Sequence, residues 1–96
     1  MIKHIVCFKL AENSEKNSLQ AKTILESMVG KVPSAKNIEV HVDELKSPRS
    51  FDIILEVLVD SWDMLDIYQN DQYHCNIVKK HMQAVSRQSI ALDFEI

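Results

Sequence analysis

Ile38–Asp60 reads IEVHVDELKSPRSFDIILEVLVD, and this stretch decides the fold. Ile38, Val40 and Val42 alternate with Glu39, His41 and Asp43, the two-residue period of a strand with one buried face, here spanning 38–45. Phe51, Ile53, Leu55, Val57 and Val59 alternate with Asp52, Ile54, Glu56 and Leu58 and predict a second strand over 51–60. Between them Lys46–Ser50 is polar and carries Pro48, the composition of a turn. Two strands joined by so short a polar turn are most simply an antiparallel hairpin.

Working outward, IKHIVCFKL over residues 2–10 is another strand. Ile2, His4, Val6, Phe8 and Leu10 share one face; Lys3, Ile5, Cys7 and Lys9 share the other. Asn13 or Ser14 caps a helix whose buried stripe is Ala21, Ile24, Leu25, Met28 and Val29. Gly30 stands where a left-handed cap is needed, and Pro33 prevents the helix from resuming. Ser61 caps a helix with Met64, Leu65 and Tyr68 inward, followed by a helical piece over 72–85 with Ile77, His81, Met82 and Val85 on one side. QSIALDFEI over 88–96 closes the chain as a strand, with Ile90, Leu92, Phe94 and Ile96 opposite Ser89, Ala91, Asp93 and Glu95.

The order is βαββαβ, a ferredoxin-like α+β fold: one four-stranded antiparallel sheet with both helices on one face, in a single domain over 1–96. The other face has no cover within the chain, yet it carries Ile5, Cys7, Ile54, Leu58, Ile90, Leu92, Phe94 and Ile96. A patch of that size calls for a partner, and a second copy of the chain is the simplest one.

The 96 residues are 46% hydrophobic and 26% charged, ordinary for a globular domain, with a net charge of −3. No basic stripe points to nucleic acid or an anionic membrane, and no apolar run is long enough to span a bilayer. Met1-Ile2-Lys3-His4 is not the start of a signal peptide, and Cys7 and Cys75 read as reduced thiols, so a cytoplasmic location is expected.

Chemistry concentrates in Ser61–His74, SWDMLDIYQNDQYH. The capped helix carries Tyr68, stops at Asn70-Asp71, and a new helical turn begins at Tyr73-His74. A phenol and an imidazole thereby approach one region from two segments. His74 can act as general base on an acidic C–H, while Tyr68 holds the carbonyl oxygen that gains charge. The competing reading is a structural hydrogen bond at a helix corner. His4 and Asp93 fall on helix-facing positions of outer strands that the fold makes neighbours; with Val6, Leu55 and Val57 they are the expected substrate-binding wall. A buried His–Asp pair that merely satisfies two polar groups is the plainer alternative. Small Ser89 and Ala91 beside Asp93 leave room for a cavity. No His-x-x-x-His or Cys-x-x-Cys pair occurs, and His74 and His81 lie two turns apart, so no metal site is expected.

The chain resembles the stress-responsive A/B-barrel (Dabb) family of the dimeric α+β barrel superfamily, over essentially its whole length. The resemblance rests on Ile2-Lys3-His4-Ile5-Val6 with Phe8-Lys9, on Val32-Pro33, on Ser50-Phe51-Asp52, on Tyr68 six residues before His74, and on Asp93-Phe94. Asp71 and Gln72 replace the first His and the Pro of the family's His-Pro-x-His segment, and His41 replaces a usual glycine. The resemblance implies a homodimer whose two sheets close into a barrel, and work without a cofactor. A plant branch keeps a Tyr and a His at the positions of Tyr68 and His74 and uses them for polyketide aldol cyclisation. The leading expectation is thus a cyclase or lyase acting on a small hydrophobic or aromatic molecule. The alternatives are a cofactor-independent monooxygenase of the same superfamily and a non-enzymatic stress protein that binds small molecules; a closed, dry interface around Tyr68 and His74 would favour the last.

Overall fold

A computed structural model describes residues 1–96. Four strands, β1 (Ile2–Leu10), β2 (Asn37–Val42), β3 (Ile53–Val59) and β4 (Ser86–Glu95), form one antiparallel sheet in the order β2-β3-β1-β4. Helix α1 (Glu15–Glu26) connects β1 to β2. Helix α2 (Trp62–Gln69), a π-helical segment (His74–Lys79) and a short helix α3 (Lys80–Val85) connect β3 to β4. This is the expected ferredoxin-like α+β fold, and no helix is long and apolar enough to cross a membrane.

The sheet's two faces follow from its register. Ile2, Leu10, Val40, Ile53, Leu55, Val57 and Val59 point to the helices and are buried there against Ala21, Leu25, Met28, Leu65, Tyr68, Val78 and Met82. Each large side chain removed from water in this way contributes about 1.5–3 kcal/mol. The opposite face is uncovered: Leu92 pairs with Ile5, Ile90 with Cys7, and Ile90, Leu92 and Phe94 remain exposed.

Local chemistry sets the element ends. Ser14, rather than Asn13, caps α1 by accepting the Asn17 N–H at 3.1 Å, and Ser61 caps α2 by accepting the Met64 N–H at 3.2 Å. Asp52 ties the start of β3 to the end of β1, accepting the Leu10 N–H at 2.7 Å.

Four expectations are corrected. Helix α1 ends at Glu26, so Val29 lies in the following turn and is exposed; Gly30, at φ +80°, supplies that turn's left-handed residue. The β2–β3 connection is longer than the polar run alone, because the Asp43 carboxylate accepts the Lys46 N–H at 2.7 Å and ends the strand at Val42. Phe51 accordingly sits outside β3, under the Lys9 ammonium. The expected helical piece after Asp71 is present, wound as a π-helix over His74–Lys79, but its inward side is not the one expected through Ile77. A wider turn takes i+3 off the inward face and keeps i+4, so His74, Val78 and Met82 are buried while Ile77 is exposed. Finally, β4 starts at Ser86, two residues before the predicted strand.

Candidate functional site

Tyr68, His74 and His4 meet between the helices and the sheet. Asn70 ends α2, and the Asp71 carboxylate then accepts the His74 N–H at 3.0 Å, starting the next segment with His74 turned inward. The Tyr68 ring lies between the two imidazoles. It stacks on His74 at a centroid distance of 4.5 Å and 30°, and meets His4 edge-on at 5.7 Å and 61°. The hydrogen bond that the structural reading of Tyr68 and His74 required is therefore replaced by ring stacking. The Tyr68 hydroxyl instead donates to the Met28 sulfur at 3.6 Å, a weak acceptor.

Strand register supplies the next pair. His4 of β1 lies opposite Asp93 of β4, and its Nδ1 donates to Asp93 Oδ1. With Nδ1 committed to the carboxylate, Nε2 is the ring atom left for a ligand.

A cavity of about 450 Å³, partly open to solvent, adjoins these groups. Of the expected wall residues, His4, Val6, Leu55, Tyr68 and His74 line it. Asp93 reaches it only through His4, and Val57 is part of the solid core beneath, fully buried and off the cavity wall. Ser89 and Ala91 do leave the room their size implied. The helix–sheet interface is open at this point, against the closed, dry packing that would favour a non-enzymatic protein.

The cavity extends further than the sequence implied, along Val78, Lys79, Met82 and Gln83 to Ser86–Ser89. Val78, four residues from both His74 and Met82, takes the inward place that the sequence reading gave to Ile77. A break in register between Lys9 and Leu10 leaves Arg87 without a partner across β1 and forms a β-bulge there.

Burial sets the electrostatics. Tyr68, with no exposed surface, has its phenol pKa pushed up by desolvation and secondarily by the Asp71 carboxylate, so it keeps its proton. His74 is pushed below its ordinary value, first by burial and then by the Lys79 ammonium; the Gln69 carbonyl and Asp71 oppose this only in part. A neutral imidazole results near pH 7. Its Nδ1 is buried without a hydrogen-bond partner.

Such a set can donate a hydrogen bond to a ligand oxygen and accept a proton from a neighbouring atom. On the bare sheet face, register also gathers Glu39, His41 and Glu56, with ligand atoms within 4.8 Å of one another. Lys3 stands 3.6 Å from Glu56 and neutralises part of that cluster.

The profile described as Stress Responsive A/B Barrel Domain (Dabb) matches residues 2–96. No curated protein matches the chain in sequence. A dimeric ferredoxin-like protein from Thermobifida fusca superposes with a TM-score of 0.86 at 20% identity, over 99% of this chain and 90% of that one. A dimeric protein of ferredoxin-like fold from Bacteroides fragilis gives 0.81 at 24%, covering 99% and 95%. Hydroxynitrile lyase from Passiflora edulis gives 0.80 at 18%, covering 99% and 92%. At these identities the likeness is one of fold.

Proposed function

This chain belongs to the stress responsive A/B barrel family, and from that premise we propose a homodimer that performs acid–base chemistry on a small carbonyl compound without a cofactor. The reaction class is carbon–carbon bond formation or cleavage next to a carbonyl, of the aldol cyclase or lyase kind. The observation that carries this reading is the buried, unpartnered Nδ1 of His74, beside a cavity whose wall also includes His4 and Tyr68. A buried polar atom without a partner costs about 1–3 kcal/mol, and a ligand proton would relieve that cost.

In the mechanism, neutral His74 removes the proton whose loss generates the nucleophile or breaks the bond. Tyr68, which holds its proton, rotates from the Met28 sulfur to donate to the oxygen that becomes negative. Little is lost in that rotation, because a thioether is a weak acceptor. The Asp93 carboxylate fixes the orientation of His4, whose Nε2 makes a second contact to the substrate. The resemblance in fold to a hydroxynitrile lyase supports the lyase form of this reading.

Dimerisation joins the bare faces of two sheets into a barrel. Exposed Ile90, Leu92 and Phe94 support it, as does the dimeric description of the fold relatives.

The test is a turnover screen with aromatic hydroxynitriles and linear poly-β-keto thioesters, run with and without oxygen, on the wild type and on His74→Ala. Oxygen-independent turnover that falls about 10²–10⁴-fold in the variant, with the melting temperature retained, upholds the proposal. Turnover that requires oxygen would replace it with the monooxygenase reading. A destabilised variant that still binds ligands normally would make His74 structural.

A further inference from the structure

We propose that the cavity selects molecules with an apolar body and an anionic terminus, bound between Lys79 and Arg87. This rests on the reading of the cavity as a ligand site and specifies what that ligand carries.

The two cations stand out against the rest of the chain. The protein has a net charge of −3, yet no Asp or Glu lines the cavity, while Lys79 and Arg87 both do. The nearby Asp93 carboxylate is already engaged by His4. Neither cation has a salt bridge within the chain; the three ion pairs are Lys3–Glu56, His4–Asp93 and Lys36–Asp60.

Both also owe their position to a departure from regular structure. Lys79 closes the π-helical segment, whose wide turns bring His74 and Val78 to the same wall. Arg87 is the extra residue of the bulge in β4, and a bulge turns a side chain away from the direction the ladder would give it. Two irregularities on facing elements thus converge on one cavity.

The apolar part of the wall, Val6, Phe8, Leu25, Leu55 and Met82, continues inward from these cations. A ligand with its anion at Lys79 and Arg87 and its body on these residues extends towards Tyr68 and His74. Arg87 can take a carboxylate or phosphate through paired N–H donors, and Lys79 adds a point charge.

The probes are 4-phenylbutyrate and its uncharged analogue 4-phenylbutyramide, titrated calorimetrically into wild type and into the Lys79→Gln/Arg87→Gln double variant. In the wild type the acid should bind at least about tenfold tighter than the amide, the value of one charge-assisted hydrogen bond of ordinary strength. The preference should shrink with added salt. In the double variant it should vanish while the amide binds as before. 4-Phenylbutyl phosphate separates phosphate from carboxylate recognition, and either anion exceeding the amide upholds the assignment.

Binding of the acid and of the phosphate no tighter than the amide by the wild type overturns this inference and leaves the ligand site standing. So does a preference that survives in the double variant. Failure of every probe to bind removes the ligand site itself, and this inference with it. Should the double variant not fold, the acid-to-amide ratio and its salt dependence in the wild type decide alone.

Discussion

Leu92→Glu tests most directly how the bare sheet face is covered. Leu92 lies in the middle of β4 opposite Ile5 and is 60% exposed. Full burial of a leucine is worth about 1.5–3 kcal/mol, so covering the remaining three-fifths contributes roughly 1–2 kcal/mol. A two-fold interface uses that contribution twice. Glutamate removes it and forces two carboxylates out of water without partners, at a cost of several kcal/mol each when fully buried. The total is at least about 4 kcal/mol, or a dimer roughly a thousandfold weaker. Sedimentation velocity across micromolar concentrations reads the change as a shift from dimer to monomer, or as insoluble chain. Ile67→Glu, at an exposed site on α2, is the control and should leave association unchanged. A soluble Leu92→Glu protein that stays dimeric at low micromolar concentration would refute the argument, and dissociation caused by Ile67→Glu would move the interface to the helices.

Tyr68→Phe should reduce turnover with little loss of melting temperature, because the hydroxyl gives up only its contact with the Met28 sulfur; a loss of about 1–2 kcal/mol in stability with ligand binding intact would make the hydroxyl structural. Stability should decline as pH falls below 6.5 towards the lower folded pKa of His74, since the unfolded chain takes up the proton that burial and Lys79 deny the folded one. It is present in full above 6.5, and melts of His74→Gln should show a flatter profile through this window. Both thiols should be free in non-reducing mass analysis, because Cys7 faces the bare side of the sheet and Cys75 belongs to the helical layer. Burial and the Glu56 carboxylate push the Cys7 thiol up, so its alkylation at neutral pH should lag that of the unfolded chain.

The parts of the fold that were legible in the sequence are those where one short-range pattern has one meaning. Alternation along Ile2–Leu10 and Ile53–Val59 identified the strands and their inner faces, and the strand order then brought His4 opposite Asp93. Ser61 and the Asn70-Asp71 break were enough to place Tyr68 and His74 on separate segments that approach each other. What stayed hidden depends on a departure from regular structure. Lys79 joins the wall of His74 only because the helix widens, and Arg87 reaches the cavity wall only beside a register break. Val29 and Leu45 are apolar residues whose exposure is set by where a backbone turn closes, and their side chains do not record that. The Glu39–His41–Glu56 grouping combines two strands, so it emerges only once their pairing is known.

The π-helical segment has a kinetic consequence. At about 100° per residue, an unbroken α-helix would set His74 and Met82 roughly 80° apart around its axis. The wider winding removes that offset, and both side chains turn inward. Such winding is rare and forms only short stretches, so His74–Lys79 is the part of the helical layer expected to open most easily. Its amides should exchange with deuterium sooner than those of α1, by local fraying rather than global unfolding. The wall that carries the unpartnered imidazole is then also the part of the helical layer whose backbone is expected to be least protected.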